Sequence, residues 1–248
     1  MSANMDFIYG AHSVLEALRV GKRKVLQLLV ENRKRNPAID KIILQARRSG
    51  VTVVKTEPGV LDKLCAGGNH QGVLIKAEPI SLLRLNQAID MDRGNKNAVW
   101  LAVDEVTDPQ NLGAIIRSAV CLGASAILLP ERRTAGISPA VHKSASGAVE
   151  KARLVPVANL SNALLALKDA GFWVYGADVT GVPVGKAQLN KPLVLVIGSE
   201  GTGLRRKTIE FCDGLVSIPQ AGASVQSLNA SCACAILLYA IRNQAASV

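Results

Sequence analysis

From residue 98 onward, short apolar runs of four or five residues alternate with longer stretches of helical periodicity, and that alternation leaves few folds open. The apolar runs fall at 99–103, 126–129, 154–157, 173–177, 193–197 and 215–218. Helix-type patterns occupy 112–122, 140–150, 160–170, 205–211 and 228–243. Strands that are apolar on both faces and joined by helices predict a parallel sheet covered on both sides, in the α/β class.

The first 76 residues read differently. A helix is predicted over 11–19, a strand over 25–30, and a second helix from Pro37 to residue 48, with Ile39, Ile42, Ile43 and Ala46 on one face and Gly50 as its stop. Strand 51–55, helix 58–65 and strand 72–76 complete a small α/β/α module. Between the two patterns, Pro79, Asn86, Asp90, Asp92, Arg93, Gly94, Asn95 and Asn97 mark a linker over 77–97, with one short helix near 82–88. The expected organisation is therefore 1–76, a linker over 77–97, and a larger domain over 98–248.

Hydrophobic residues make up 49% of the chain and aromatics 3%, so the core is expected to be aliphatic. No apolar run approaches the roughly 20 residues that cross a bilayer, and Met1-Ser-Ala-Asn-Met-Asp6 lacks the pattern of a secretory signal. A cytoplasmic protein with no membrane partner is the expectation. Cys65, Cys121, Cys212, Cys232 and Cys234 include no Cys-x-x-Cys pair, and His12, His70 and His142 are scattered, so neither a metal site nor a disulfide framework is indicated. Cys232 and Cys234, in a run of small residues, read as buried packing residues.

The net charge of +10 is uneven: residues 1–76 carry 13 Lys/Arg against 6 Asp/Glu, and the rest of the chain 16 against 13. The clusters Lys22-Arg-Lys24, Arg33-Lys-Arg35 and Arg47-Arg48 in the small module suggest a polyanionic partner, a nucleic acid ahead of a membrane.

Three polar segments interrupt the apolar half where strand patterns give way to helical ones, the edge at which open α/β sheets bind ligands. In the first, Asn111-Leu-Gly-Ala-Ile-Ile-Arg117, Asn111 is placed to cap a helix beginning at Leu112, and Gly113 permits close backbone approach. The second, Gly198-Ser-Glu-Gly-Thr-Gly-Leu204, carries one carboxylate, Glu200, and fits neither the dinucleotide G-x-G-x-x-G order nor a P-loop. Its glycines suit a ligand such as a nucleoside gripped by backbone amides and carbonyls. The third, Ser227-Leu-Asn-Ala-Ser231, has Ser227 as a candidate cap with Asn229 in the first turn of the helix after it.

In order and spacing these segments resemble the SpoU (TrmH) family of RNA ribose 2′-O-methyltransferases of the SPOUT class, through Asn-Leu-Gly-x-x-x-Arg, Gly-x-Glu-Gly-x-Gly-Leu and Ser-Leu-Asn-x-Ser. Tyr9-Gly-Ala-His-Ser-Val-Leu-Glu16 and His70-Gln-Gly72 resemble the L30e-like RNA-binding module of the branch that acts on large-subunit ribosomal RNA. The loop after Pro219 is one residue longer than the family pattern, in the stretch that holds Ser224 and Gln226.

The resemblance implies a parallel-sheet domain with a deep trefoil knot, preceded by a small L30e-like α/β/α domain. It implies S-adenosylmethionine as cofactor, held largely by backbone atoms at Gly198, Ile218 and Leu228, and no metal. It implies a homodimer with a composite active site, whose catalytic positions are Asn111, Arg117, Glu200, Ser227 and Asn229. The implied reaction is 2′-O-methylation of a ribose, a guanosine in large-subunit ribosomal RNA. The alternatives are a transfer-RNA 2′-O-methyltransferase of the same family and a non-catalytic RNA-binding or ribosome-assembly protein.

Overall fold

The computed structural model describes residues 5–32, 36–57, 59–221 and 227–244. In chain order its first elements are β1 (Asp6–Tyr9), α1 (Ala11–Val20), β2 (Val25–Glu31), α2 (Pro37–Arg48), β3 (Thr52–Thr56), α3 (Val60–Leu64), β4 (Val73–Ala77) and α4 (Leu85–Met91). There follow β5 (Val99–Val103), α5 (Pro109–Cys121), β6 (Ala126–Pro130), α6 (Pro139–Ser144), a 3-10 turn (Ala148–Glu150), β7 (Leu154–Val157) and α7 (Leu160–Asp169). The last are β8 (Trp173–Pro183), β9 (Leu193–Ile197), α8 (Arg206–Ile209), β10 (Gly214–Ser217) and α9 (Ala230–Asn243). The chain forms two compact units: one contains the residues up to Ser81 together with Ile137–Lys151, the other Leu82–Gly136 and the residues from Ala152 on.

The first unit is built on a sheet of order β1-β4-β2-β3, in which only β2 and β3 run parallel. Helix α2 starts as the sequence predicts: Asn36 caps Ala38 N at 2.9 Å, and Pro37 fills the first helical position, where no amide hydrogen is needed. Ile42 and Ala46 from this helix, with Val14, Ala17 and Leu18 from α1, close over Leu28, Val30, Val73 and Ile75 of the sheet. Strand β1 carries no sequence expectation; it forms because Asp6–Tyr9 pair antiparallel with β4.

The helix expected over 140–150 is broken. Ser146 and Gly147 take positive φ of 49° and 86°, ending α6 and opening the 3-10 turn. The break carries Glu150 into the interior, where its side chain is 2% exposed. The Arg23 guanidinium meets it as a fork, with Nε to Oε2 at 3.0 Å and Nη2 to Oε1 at 2.6 Å. Arg23 also binds Asp6 and the Glu78 carbonyl, and His142 lies 3.6 Å from Glu150 and 3.8 Å from Asp6. Arg23 is thus a buried structural cation, which corrects the reading of Lys22-Arg-Lys24 as one nucleic-acid-facing cluster. Arg33-Lys-Arg35 lies outside the described residues.

The second unit is a six-stranded sheet of order β10-β8-β9-β5-β6-β7 with every pairing parallel. Trp100, Leu101, Ala102 and Val103 of β5 are all 0% exposed, as expected for strands covered on both faces. The Trp100 indole donates to Asp92 at 2.7 Å and meets Phe172 edge-on at 5.4 Å between centroids. Strands β6 and β7 extend the sheet to one side of β5, and β9, β8 and β10 lie on the other. The chain therefore reverses direction between β5 and β9, and the loops leaving those neighbouring strands meet at a topological switch point. Helices α5 and α9 pack against each other. Among the described residues no helix is long and apolar enough to cross a membrane.

Candidate active site

Helix α5 is capped one turn earlier than the sequence suggests. Asp108 accepts from Gln110 N at 2.9 Å and from Asn111 N at 3.4 Å, with Pro109 at the first helical position. Asn111 is consequently an interior residue of the first turn, and its side chain is free for other contacts. Asn229, not Ser227, caps α9, accepting at Oδ1 from Ser231 N at 2.9 Å and Cys232 N at 3.4 Å. Asp108 and Asn229 each stand one residue before the first helical residue, where a side-chain oxygen reaches the free amides of the first turn.

The glycine-rich segment leaves β9 and folds back on itself. Ser199 N donates to Gly203 O at 3.1 Å, Gly203 N to Ser199 O at 3.0 Å, and the Ser199 and Thr202 hydroxyls lie 2.7 Å apart. A Cβ at Gly198 would stand 2.2 Å from Gly203 C and 2.3 Å from its carbonyl oxygen, so only glycine fits there. Gly203 is at φ 66°, the left-handed region.

This loop brings the three sequence segments together. Glu200 Oε2 accepts from Asn111 Nδ2 at 2.9 Å and from Asn229 Nδ2 at 3.1 Å, and Asn229 Nδ2 also lies 2.9 Å from Asn111 Oδ1. A cavity of about 300 Å³ opens beside the triad, lined by Gly198 to Gly203, Ile218, Ser227 and Leu228, and floored by Ala230, Ala233 and Leu237 of α9. All three backbone positions expected at a cofactor therefore face one space, with Glu200 and Ser227. Arg117 does not line it. Exposed on α5, it stands six residues beyond Asn111, roughly 240° around the helix. Ser224 and Gln226 lie outside the described residues.

Three functional candidates escape the sequence reading. Asp178, midway along β8, lines the cavity, with Oδ1 accepting from Thr180 N at 2.9 Å. Asp104 and Arg205 pair behind the glycine-rich loop. For Asp104 the available signal was an acidic residue directly after an apolar strand, which places it at the ligand-binding edge of a parallel sheet. Burial, with the charge of Asp213, pushes the Cys212 thiol up to about 11, and burial pushes Cys234 up to about 12. Cys232 is exposed on α9, contrary to the expectation that it packs inside. Among the described residues no His/Cys/Asp/Glu group is arranged to hold a metal.

The model of the SpoU rRNA methylase family matches residues 98–239, and that of the RNA 2′-O ribose methyltransferase substrate-binding domain matches residues 7–83. The 23S rRNA (guanosine-2′-O-)-methyltransferase RlmB of Ralstonia nicotianae is 39% identical over 94% of this chain and 93% of its own length. An uncharacterized tRNA/rRNA methyltransferase of Synechocystis is 41% identical over 97% of this chain, which spans 63% of that relative. Among solved structures, the AdoMet-bound rRNA methyltransferase of Sinorhizobium meliloti superposes with a TM-score of 0.78 at 27% identity, covering 96% of this chain and 87% of that one.

Proposed function

This chain belongs to the SpoU rRNA methylase family, and from that premise we propose that it methylates the 2′-hydroxyl of a ribose, a guanosine, in large-subunit ribosomal RNA. S-adenosylmethionine is the proposed cofactor. The observation that carries the reading is the convergence of Asn111, Glu200 and Asn229 through three hydrogen bonds at the edge of one cavity.

The cavity suits such a cofactor. Its volume of about 300 Å³ falls at the lower end of small-ligand sites. Gly198, where a Cβ would overlap the backbone of Gly203 and Leu204, lets the loop close on itself at the cavity wall and present backbone rather than side chain to a nucleoside. Gly198, Ile218 and Leu228 would hold the cofactor, which supplies an already activated methyl group. The carboxylates of Glu200 and Asp178 complement a ligand that carries positive charge.

What remains for the chain is positioning and charge. Asn111 and Asn229 fix the Glu200 carboxylate, which orients the ribose, and Ser227 stands at the cavity wall against substrate and cofactor. A guanidinium with a pKa above about 12 is a poor proton acceptor. Arg117 is therefore assigned to the phosphate next to the target ribose and to the alkoxide that develops on its 2′-oxygen. Holding the reacting groups in line contributes several kcal/mol of the barrier reduction on the order of that seen for oriented intramolecular reactions.

The composite dimeric site is part of the same proposal. Arg117 stands off the cavity of its own chain, consistent with service to a partner's. Ile236 and Tyr239, 41% and 63% exposed and three residues apart on α9, offer an apolar face to a second copy. The first unit, with its surplus of positive charge, would bind the RNA, and the deep knot would run through the loops around the cavity. Two measurements test the proposal together: calorimetric titration with S-adenosylmethionine, and mapping of ribose methylation on ribosomal RNA from a deletion strain. Absence of binding, or an unchanged methylation map, contradicts it.

A further inference from the structure

We infer that Asp104 is a positioning residue of the methyl-transfer site, because it fastens both ends of the loop that carries Glu200. The inference rests on the methyltransferase reading above and adds to it a residue outside the cavity.

Asp104 follows β5 and is 0% exposed. Its backbone N–H donates to the carbonyl of Ile197, the last residue of β9, at 2.8 Å. Its carboxylate receives Arg205 three times: from the backbone N at 3.1 Å, from Nε at 2.7 Å and from Nη2 at 2.6 Å. Between Ile197 and Arg205 lies only the loop of residues 198–204. One residue thus grips the loop where it leaves the sheet and where it returns.

The loop between these anchors has little freedom of its own. The Ser199–Gly203 bridge closes it, and the close approach of Gly198 to Gly203 and Leu204 packs backbone on backbone. A shift of the Arg205 end would therefore move Glu200 relative to Asn111 and Asn229 rather than dissipate inside the loop. Glu105 reinforces the arrangement: its carboxylate reaches Arg133 at 3.0 Å and Arg205 at 3.6 Å. Its φ of 59° is a left-handed conformation that a non-glycine residue keeps only where its surroundings hold it. Asp92 is a natural comparator. It too is a nearly buried carboxylate, bound to Trp100 and Arg153, but it contacts no residue of the loop.

The test is steady-state methyl transfer to a large-subunit rRNA transcript by the full chain. The variants are Asp104→Asn, Arg205→Lys and Asp92→Asn, each alone and combined with Glu200→Gln. Asp104→Asn should lower kcat by roughly 10- to 100-fold, the scale of a misplacement on the order of 1 Å, with KM for RNA within about twofold. Arg205→Lys, which keeps the charge and loses the fork, should fall between it and wild type. In the Glu200→Gln background, Asp104→Asn should cost less than about twofold further, because both act through one group. Asp92→Asn should lower the denaturation midpoint yet multiply independently with Glu200→Gln. Wild-type kcat in Asp104→Asn, or a loss that multiplies in full with that of Glu200→Gln, overturns the inference. Should Asp104→Asn not fold, Arg205→Lys and its Glu200→Gln combination decide in the same way. A wild-type chain that transfers no methyl group overturns the methyltransferase reading itself.

Discussion

Asn229 joins Asn111 across 2.9 Å through its Nδ2 while its Oδ1 caps α9, so a single carboxamide both starts a helix and sets a site. The two roles separate by substitution. Asn229→Ala removes cap and triad together, and should lower stability by about 1 kcal/mol in urea unfolding while abolishing most methyl transfer. Asn229→Asp keeps a good cap at a helix N-terminus but sets a second carboxylate beside Glu200. It should unfold near the wild-type midpoint and still be inactive.

The Gly198 cradle gives a second expectation. In Gly198→Ala the added methyl meets backbone atoms of Gly203 and Leu204 at 2.2–2.5 Å, and backbone cannot swing aside as a side chain can. Calorimetry should show S-adenosylmethionine binding weakened by at least about tenfold, roughly 1.4 kcal/mol, with secondary structure by circular dichroism unchanged. Equal affinity would mean that the cofactor sits elsewhere.

The buried Arg23–Glu150 pair predicts a stability effect far from the cavity. Glu150→Gln leaves Arg23 without its bidentate partner and should cost about 3 kcal/mol in denaturant unfolding. Asp6 adds a pH signature. Burial acts to raise its pKa, but His142 and Arg23 outweigh that and hold it below 3.8. A carboxyl whose folded pKa is depressed stabilises fully above its unfolded value and loses that contribution as pH falls through the folded one. Wild-type stability should therefore decline below about pH 4 more steeply than that of Asp6→Asn, as urea titrations across that range would show.

The apolar face of α9 makes the dimer testable. Tyr239→Glu should convert the protein from dimer to monomer by sedimentation velocity, with methyl transfer lost in parallel. A monomeric wild type, or a dimeric Tyr239→Glu variant, contradicts the composite site.

All six strands of the parallel sheet were legible in the sequence because continuous apolar runs have few other uses. The order β10-β8-β9-β5-β6-β7 was not, since it depends on pairings between segments far apart in the chain. Local polarity also pointed to Asn111, Glu200 and Asn229, although it assigned the caps to Asn111 and Ser227. The caps are Asp108 and Asn229 because the helices begin at Pro109 and Ala230, boundaries that periodicity fixes only to within a few residues. The break after α6 stayed hidden because Ser146 and Gly147 sit in an otherwise helical pattern, and the buried partner of Glu150 lies 127 residues away. In the sequence Asp104 stands out only as an acidic residue directly after an apolar run. Its meaning appears only when Ile197 and Arg205 are seen on either side of it.

The most direct measurement follows a tritium-labelled methyl group from S-adenosylmethionine to large-subunit ribosomal RNA, with wild type beside Asn111→Ala, Glu200→Gln and Asn229→Ala. One pocket serving one reaction predicts label on a ribose 2′-oxygen with the wild type, and a large loss with each variant. Label on a base, or transfer indifferent to all three substitutions, would contradict it.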